Sequence, residues 1–241
     1  MVVEIARWKK GVAEFVGTFA LIYVGVLVLV GGFGAAVGTD LVAIAFAHGL
    51  TIAVMASATM SISGGQLNPA VTIGLLAVRK VTPAQAGVNI LAQLLGGLVG
   101  GYLALASLGG ADITRGVPDL GAGVSMGQAI LIEAVLTFFL MFVILGPAVD
   151  QRFGARIGGL AIGLTVALDI MAGGPLTGAA MNPARFFGAA IPAGHFANAL
   201  VYFIGPILGA VAAALLYQHA LLDEPRPHPE PAAQMRAEGN R

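Results

Sequence analysis

The sequence predicts an all-α membrane protein whose six transmembrane helices form an inverted repeat. Three observations predict it. The 241 residues are 58% hydrophobic and 10% charged, with mean hydropathy +0.91, whereas a soluble domain carries about 25% charged residues. Six long apolar stretches run at 12–37, 41–62, 84–108, 126–148, 157–173 and 197–218, near the ~20 residues that one bilayer crossing needs. Segments of the first half recur, weakly, in the second. The composition also excludes several function classes. Twelve Lys+Arg balance twelve Asp+Glu, so no net field draws a polyanion and nucleic acid is not expected as a partner. Cysteine is absent, which removes disulfides, thiolate metal sites and cysteine catalysis. No nucleotide loop, metal-ligand cluster or triad pattern occurs, so neither an enzyme nor a cofactor is expected.

The elements follow in order. The stretch 12–37 comes after Arg7, Lys9 and Lys10 and resembles a signal peptide. It is too long for an h-region and has no cleavage-like site before a soluble domain, so it reads as a retained first helix. The stretches 41–62 and 84–108 complete the first half, and Gly96, Gly97, Gly100 and Gly101 in the latter suit close helix packing. The second half holds 126–148, then 157–173 with Asp169 inside it, then 197–218 with Gly205 and Gly209. Asp169 is expected to hydrogen-bond on the face of its helix away from any lumen, with a part in pore electrostatics or ion binding as the alternative reading. Residues 1–222 thus read as one membrane domain of two repeats, about 12–108 and 126–218. Residues 223–241, with four prolines between charges, read as a disordered cytoplasmic tail. Six spans put both termini on one side. Ten of the twelve basic residues fall there, all but Arg115 and Arg185. The positive-inside rule makes that side cytoplasmic.

The repeat carries the function. The segment from Ala13 to Phe19 resembles that from Ile132 to Phe138, pairing Glu14 with Glu133. Ser63-Gly64-Gly65-Gln66-Leu67-Asn68-Pro69-Ala70 resembles Thr177-Gly178-Ala179-Ala180-Met181-Asn182-Pro183-Ala184. Each half therefore has three spans and one Asn-Pro-Ala element. An odd number of spans gives the halves opposite topology, and a transport path then lies at their interface. Glycines before each element permit unwound backbone. Asn is a good helix N-cap, and Pro is favoured at the first helical position. Two half-length helices would then meet N-terminus to N-terminus near the midplane, each end partly positive. The Asn68 and Asn182 amides would donate into a shared lumen.

The doubled motif with Arg185, set in residues 13 to 217, resembles the aquaporin or major intrinsic protein family. The resemblance implies six tilted helices around two re-entrant half-helices, one pore per subunit, a homotetramer and residence in the cell membrane. It implies that the Asn68-Pro69-Ala70 and Asn182-Pro183-Ala184 motifs form one constriction. Glu14 and Glu133 would brace the two loops. The carbonyls of Gly64, Gly65, Gln66 and Leu67 would line one vestibule, and those of Gly178, Ala179, Ala180 and Met181 the other. By the family's spacing the selectivity filter is His48, Ile170, Ala179 and Arg185. That set is similar to the tonoplast intrinsic proteins and aquaporin-eight, which pass ammonia and hydrogen peroxide as well as water. Phe186 follows Arg185 where a glycerol facilitator has Asp. Gln66 stands where the family often has a titratable His, and Ala179 where a mercury-sensitive Cys is common. The expected function is passive passage of water and neutral ammonia across a lipid bilayer, without protons or ions. Two other readings stay open at this point: a facilitator of glycerol or other small neutral solutes, and a secondary transporter with moving halves.

Overall fold

The structure, a computed structural model, describes residues 5–31, 40–149 and 157–222, the side chains of 147–149 excepted. The expected tail at 223–241 and the basic residues Arg152, Arg156, Arg226, Arg236 and Arg241 lie outside the described residues. The first half is built of α1 (Arg7–Val30), α2 (Leu41–Ser63), α3 (Pro69–Ala77) and α4 (Pro83–Ser107). The second half repeats the order with α5 (Met126–Val143), α6 (Gly158–Thr177), α7 (Pro183–Ala193) and α8 (Val201–Leu216). One 3-10 turn, Thr114–Gly116, stands in the connection between the halves. Six helices are long and apolar enough to cross a membrane. The nine residues of α3 and eleven of α7 rise roughly 14–17 Å at ~1.5 Å per residue. That is about half of a ~30 Å hydrocarbon layer, so both are half-helices.

Packing repeats with the sequence. In the first half α1 lies against α4, and in the second α5 lies against α8. Each half-helix crosses over: α7 packs on α4, and α3 packs on α8. The glycines make these approaches possible. A Cβ on Gly96 or Gly100 would strike the carbonyl oxygens of Phe15 and Phe19 in α1. One on Gly97 or Gly101 would strike those of Ala184 and Gly188 in α7. Two adjacent pairs on α4 therefore seat two different helices, as the sequence suggested. Gly205 and Gly209 do the same for α8 against the backbone of α5 at Ile130 and Ala134. Gly49 and Gly163 let α2 and α6 touch backbone to backbone across the approximate two-fold axis, a pair the sequence reading did not single out. Large apolar side chains such as Val54, Leu91, Leu131 and Leu168 remain exposed, which suits a lipid-facing surface.

The helix ends differ from expectation in four places. The first helix starts at Arg7, because Arg7, Lys9 and Lys10 continue the helix as an exposed basic turn. It ends at Val30, and residues 32–37 of the expected stretch lie outside the described residues. α6 runs to Thr177 through Pro175, past the expected stop at 173. A proline in the last turn forfeits one i to i−4 bond, and Gly178 (φ 78°) then closes the helix with its N–H on Gly174 O at 2.9 Å. α8 starts at Val201, after turns in which Asn198 takes φ 54°.

Candidate functional site

The two loops before the half-helices are held by one device used twice. The Glu14 carboxylate, fully buried, accepts from the backbone N–H of Gln66 at 2.9 Å and Leu67 at 2.5 Å. The Glu133 carboxylate, also fully buried, accepts from Ala180 N at 2.9 Å and Met181 N at 2.7 Å. Ser63 Oγ donates to Glu14 at 2.5 Å and accepts from Gly65 N at 3.2 Å. Thr177 Oγ1 donates to Glu133 at 2.7 Å and accepts from Ala179 N at 3.2 Å. A buried carboxylate needs such partners, and each loop supplies them with amides that have no helix of their own. The hydroxyls were visible in the aligned repeat, since Ser63 and Thr177 share its spacing of 114 residues, but only their bonds reveal the role. Tyr202 Oη adds a further tie to Thr177 O at 2.9 Å, which nothing in the sequence signalled.

The loop backbone is contorted alike in both halves. Gly64 and Gly178 have φ of 94° and 78°, Gly65 and Ala179 have 59° and 43°, and Leu67 and Met181 have 52° and 51°. Three of these six are not glycine, and a left-handed L-residue costs on the order of 1–3 kcal/mol. The glutamate clamps offset that strain.

Asn68 and Asn182 then cap the half-helices. Asn68 Oδ1 accepts from Ala70 N at 2.9 Å, and Asn182 Oδ1 accepts from Ala184 N at 2.9 Å and Arg185 N at 3.3 Å. Their amide nitrogens do not both point freely into a lumen. Asn68 Nδ2 donates to Met181 O at 2.8 Å, and Asn182 Nδ2 donates to Leu67 O at 2.9 Å. Each amide therefore ties its own half to the opposite one with one hydrogen, and an amide nitrogen has two. One hydrogen per asparagine remains.

A narrow cavity of about 30 Å³ runs between the halves. One wall is polar, made by Gly65, Gln66, Leu67 and Asn68 with Ala179, Ala180, Met181, Asn182 and Arg185. The facing wall is apolar, with Leu21, Ile52, Val71, Leu140, Ile144, Ile162, Val166 and Ile170. Gly64 is not part of this lining, and Gly178 lines an outer vestibule of about 470 Å³ instead. The vestibule and the cavity meet at His48, Ile170 and Arg185, with Ala179 on the cavity side. The four positions expected at a filter are thus brought together. Asp169, next to Ile170, is buried off both cavities, and its Oδ2 has no partner among the described residues. The expected structural hydrogen bond is not made by that oxygen.

Arg185 is buried and positioned by two groups. Its Nη1 donates to Gly116 O at 3.3 Å, and its Nη2 lies 3.4 Å from His48 Nε2. His48 Nδ1 lies 2.9 Å from Ile44 O. A carbonyl only accepts and a guanidinium only donates, so His48 is neutral, with its proton on Nδ1 and its Nε2 lone pair on Arg185. A Cβ on Gly25 of α1 would stand 2.5 Å from that Nε2. We therefore expect Gly25→Ala, on a helix outside both loops, to push His48 off Arg185 and change water flux about threefold or more, the scale of one displaced hydrogen bond. Light scattering of reconstituted vesicles measures it, and flux equal to wild type would show that His48 yields freely. The outer loops are pinned by Asp119, which accepts from His195 Nε2 at 2.8 Å, Asn198 Nδ2 at 2.9 Å and Leu120 N at 2.8 Å. Partial burial raises the Asp119 pKa, but the bonds from Asn198, His195 and Leu120 outweigh it and hold the carboxyl below its usual range.

The sequence model of the major intrinsic protein family matches residues 1–217. The chain belongs to that family. It is a multi-pass membrane protein and a passive channel for water and small solutes. Among similar proteins, aquaporin TIP4-4 of Zea mays is 44% identical over 212 residues, covering 85% of this chain and 83% of its own. Aquaporin AqpM of Methanothermobacter marburgensis is 40% identical, covering 89% and 98%. Nodulin-26 of Glycine max is 39% identical, covering 89% and 79%. The X-ray structure of the aquaglyceroporin from Plasmodium falciparum superposes with TM-score 0.77 at 24% identity, over 90% of this chain and 97% of that one. That likeness is one of fold.

Proposed function

We propose that this aquaporin-family channel passes water and neutral ammonia, and with them hydrogen peroxide, while excluding protons and ions. The carrying observation is the crossed pair of amides, Asn68 to Met181 O and Asn182 to Leu67 O. Both asparagines line the same cavity, which leaves the one remaining hydrogen on each for a permeant there. A water that accepts from both must turn its own hydrogens away, toward the carbonyls of the two loops. Neighbouring waters then cannot pass a proton along the file. The partly positive N-termini of α3 and α7 meet at the same place and oppose cations. Arg185 adds a full charge at the outer neck.

Ammonia selectivity is assigned to His48 with Ile170. Ile170 puts an apolar wall opposite Arg185 where a polar side chain would favour water. His48 holds the guanidinium aside through Nε2, so its lone pair is shared with Arg185 and less available to the permeant. Ammonia accepts from Arg185 with its one lone pair and donates to loop carbonyls; ammonium has no lone pair. On this reading His48, Ile170, Ala179 and Arg185 form the filter, and Glu14 and Glu133 keep the constriction in shape. The two repeats form one channel domain, with both termini cytoplasmic, in the cell membrane, assembled as a homotetramer with one pore per subunit.

The test compares wild type with the double variant His48→Phe, Ile170→His in vesicles loaded with a pH dye. After an ammonium jump, wild type should alkalinise several-fold faster than the double variant, while water flux stays within about twofold. Equal alkalinisation in both and in protein-free vesicles would leave a water channel without ammonia. Flux that needs an ion gradient would replace the channel by a transporter.

A further inference from the structure

We propose that Gln66 is a specificity-determining residue of this channel, a fixed N–H donor in the half of the lumen opposite Arg185. The inference rests on the channel reading above. Gln66 lies between the end of α2 and Asn68 and lines the central cavity. Its orientation can be read from Glu14. That carboxylate accepts from Ser63 Oγ, Gln66 N, Leu67 N and, at 2.7 Å, Gln93 Nε2. With Ser63 Oγ, Gln66 N and Leu67 N already donating to it, that carboxylate acts as an acceptor. The Gln93 atom beside it is therefore nitrogen, and it also donates to Thr72 Oγ1 at 3.0 Å. The Thr72 hydroxyl hydrogen has Asn68 O within reach at 3.1 Å, but Gln66 Oε1 is the nearer acceptor, at 2.7 Å. From the other side Asn89 Nδ2 donates to the same oxygen at 3.1 Å, while Asn89 Oδ1 takes Gln85 Nε2 at 2.6 Å.

Both lone pairs of the Gln66 oxygen are thus used, by buried groups on α3 and α4. The amide nitrogen donates to no protein group among the described residues and is not fully enclosed. It is the end of Gln66 that faces the lumen. The second half has no counterpart, because the repeat puts Ala180 at the place of Gln66 and Phe186 at that of Thr72. The lumen is therefore asymmetric, with a guanidinium at one end and a neutral amide donor toward the other. A permeant there must offer a lone pair. Water, ammonia and peroxide do so, while a cation meets the positive end of the amide dipole. Glu14 of α1 holds the Gln66 backbone directly and reaches its side chain through this relay, and the charged or titratable groups that line the cavity are His48 and Arg185.

The experiment uses the full chain in proteoliposomes, with water flux by light scattering and potassium leak by an entrapped dye. Gln66→Met removes the donor, and water flux should fall about threefold to tenfold, the size of one hydrogen bond to water. Gln66→Glu keeps both buried partners but turns an acceptor toward the lumen, and potassium leak should rise at least about threefold above wild type. Gln93→Met, which touches the relay and not the lumen, should shift water flux in the same direction as Gln66→Met. A conducting wild type whose Met and Glu variants match it in both readouts overturns the role of Gln66. If the Glu variant fails to reconstitute, the Met variant alone decides, with Gln66→Ala as its replacement. A wild type with no flux above protein-free vesicles overturns the channel reading itself.

Discussion

Glu133→Leu should lower the unfolding temperature of this protein in detergent by roughly 10 °C or more. The carboxylate is the sole acceptor described for Ala180 N and Met181 N, and it also takes the Thr177 hydroxyl. Leucine leaves these buried donors unpaired at ~1–3 kcal/mol each, against a net stability of only ~5–15 kcal/mol for an ordinary fold. It also releases the left-handed Ala179 and Met181, whose strain the carboxylate offsets. Met181 O then no longer meets the Asn68 amide in register. Glu133→Gln should fall between, because its oxygen can serve part of the set while its NH2 meets a donor. Circular dichroism melts measure both. A Glu133→Leu protein that melts within about 2 °C of wild type would mean that the loop is held by helix packing alone.

Much of this site was legible because the repeat is written twice. A single Asn-Pro-Ala reads as a turn with a cap. Two copies in halves of opposite topology place both asparagines at one depth, and Glu14 and Glu133 fall out of the same comparison. The glycine pairs on α4 and α8 were legible from their spacing, since little else explains glycines repeated four residues apart in a membrane helix. Other features have no one-dimensional signal. The amides cross to Met181 and Leu67 because positive φ turns the loop carbonyls toward the partner half, and leucine or methionine is not a residue from which left-handed backbone is read. Gly116 supplies a carbonyl to Arg185 from the connection between the halves, 69 residues away in sequence. The Gln66 relay joins α1, α3 and α4 through Glu14 and a set of amide and hydroxyl side chains whose order only a three-dimensional bond pattern can give. The helix α6 runs past the expected end at 173, through Pro175, because a proline in a last turn need not end a helix.

Ala179→Cys should convert a mercury-insensitive channel into one that mercuric chloride closes. Mercury attacks thiolates, and the chain has no cysteine, so the wild type offers no target and should keep its full water flux. Ala179 lines the central cavity beside Arg185 and Ile170, at the neck where the outer vestibule narrows. Its backbone already holds φ 43° with a Cβ in place, so cysteine adds one sulfur and no new backbone strain. A mercury atom on that sulfur would occupy the neck, and water flux should drop by roughly tenfold, returning when a thiol reagent strips the adduct. Ala212→Cys is the control. It is exposed on α8, away from both cavities, so its thiol should react without changing flux. Light scattering before and after mercury, with thiol counts on both variants, measures the contrast. If Ala179→Cys conducts water, is labelled and still stays open, the 179 side chain does not face the permeant, and the filter would reduce to His48, Ile170 and Arg185.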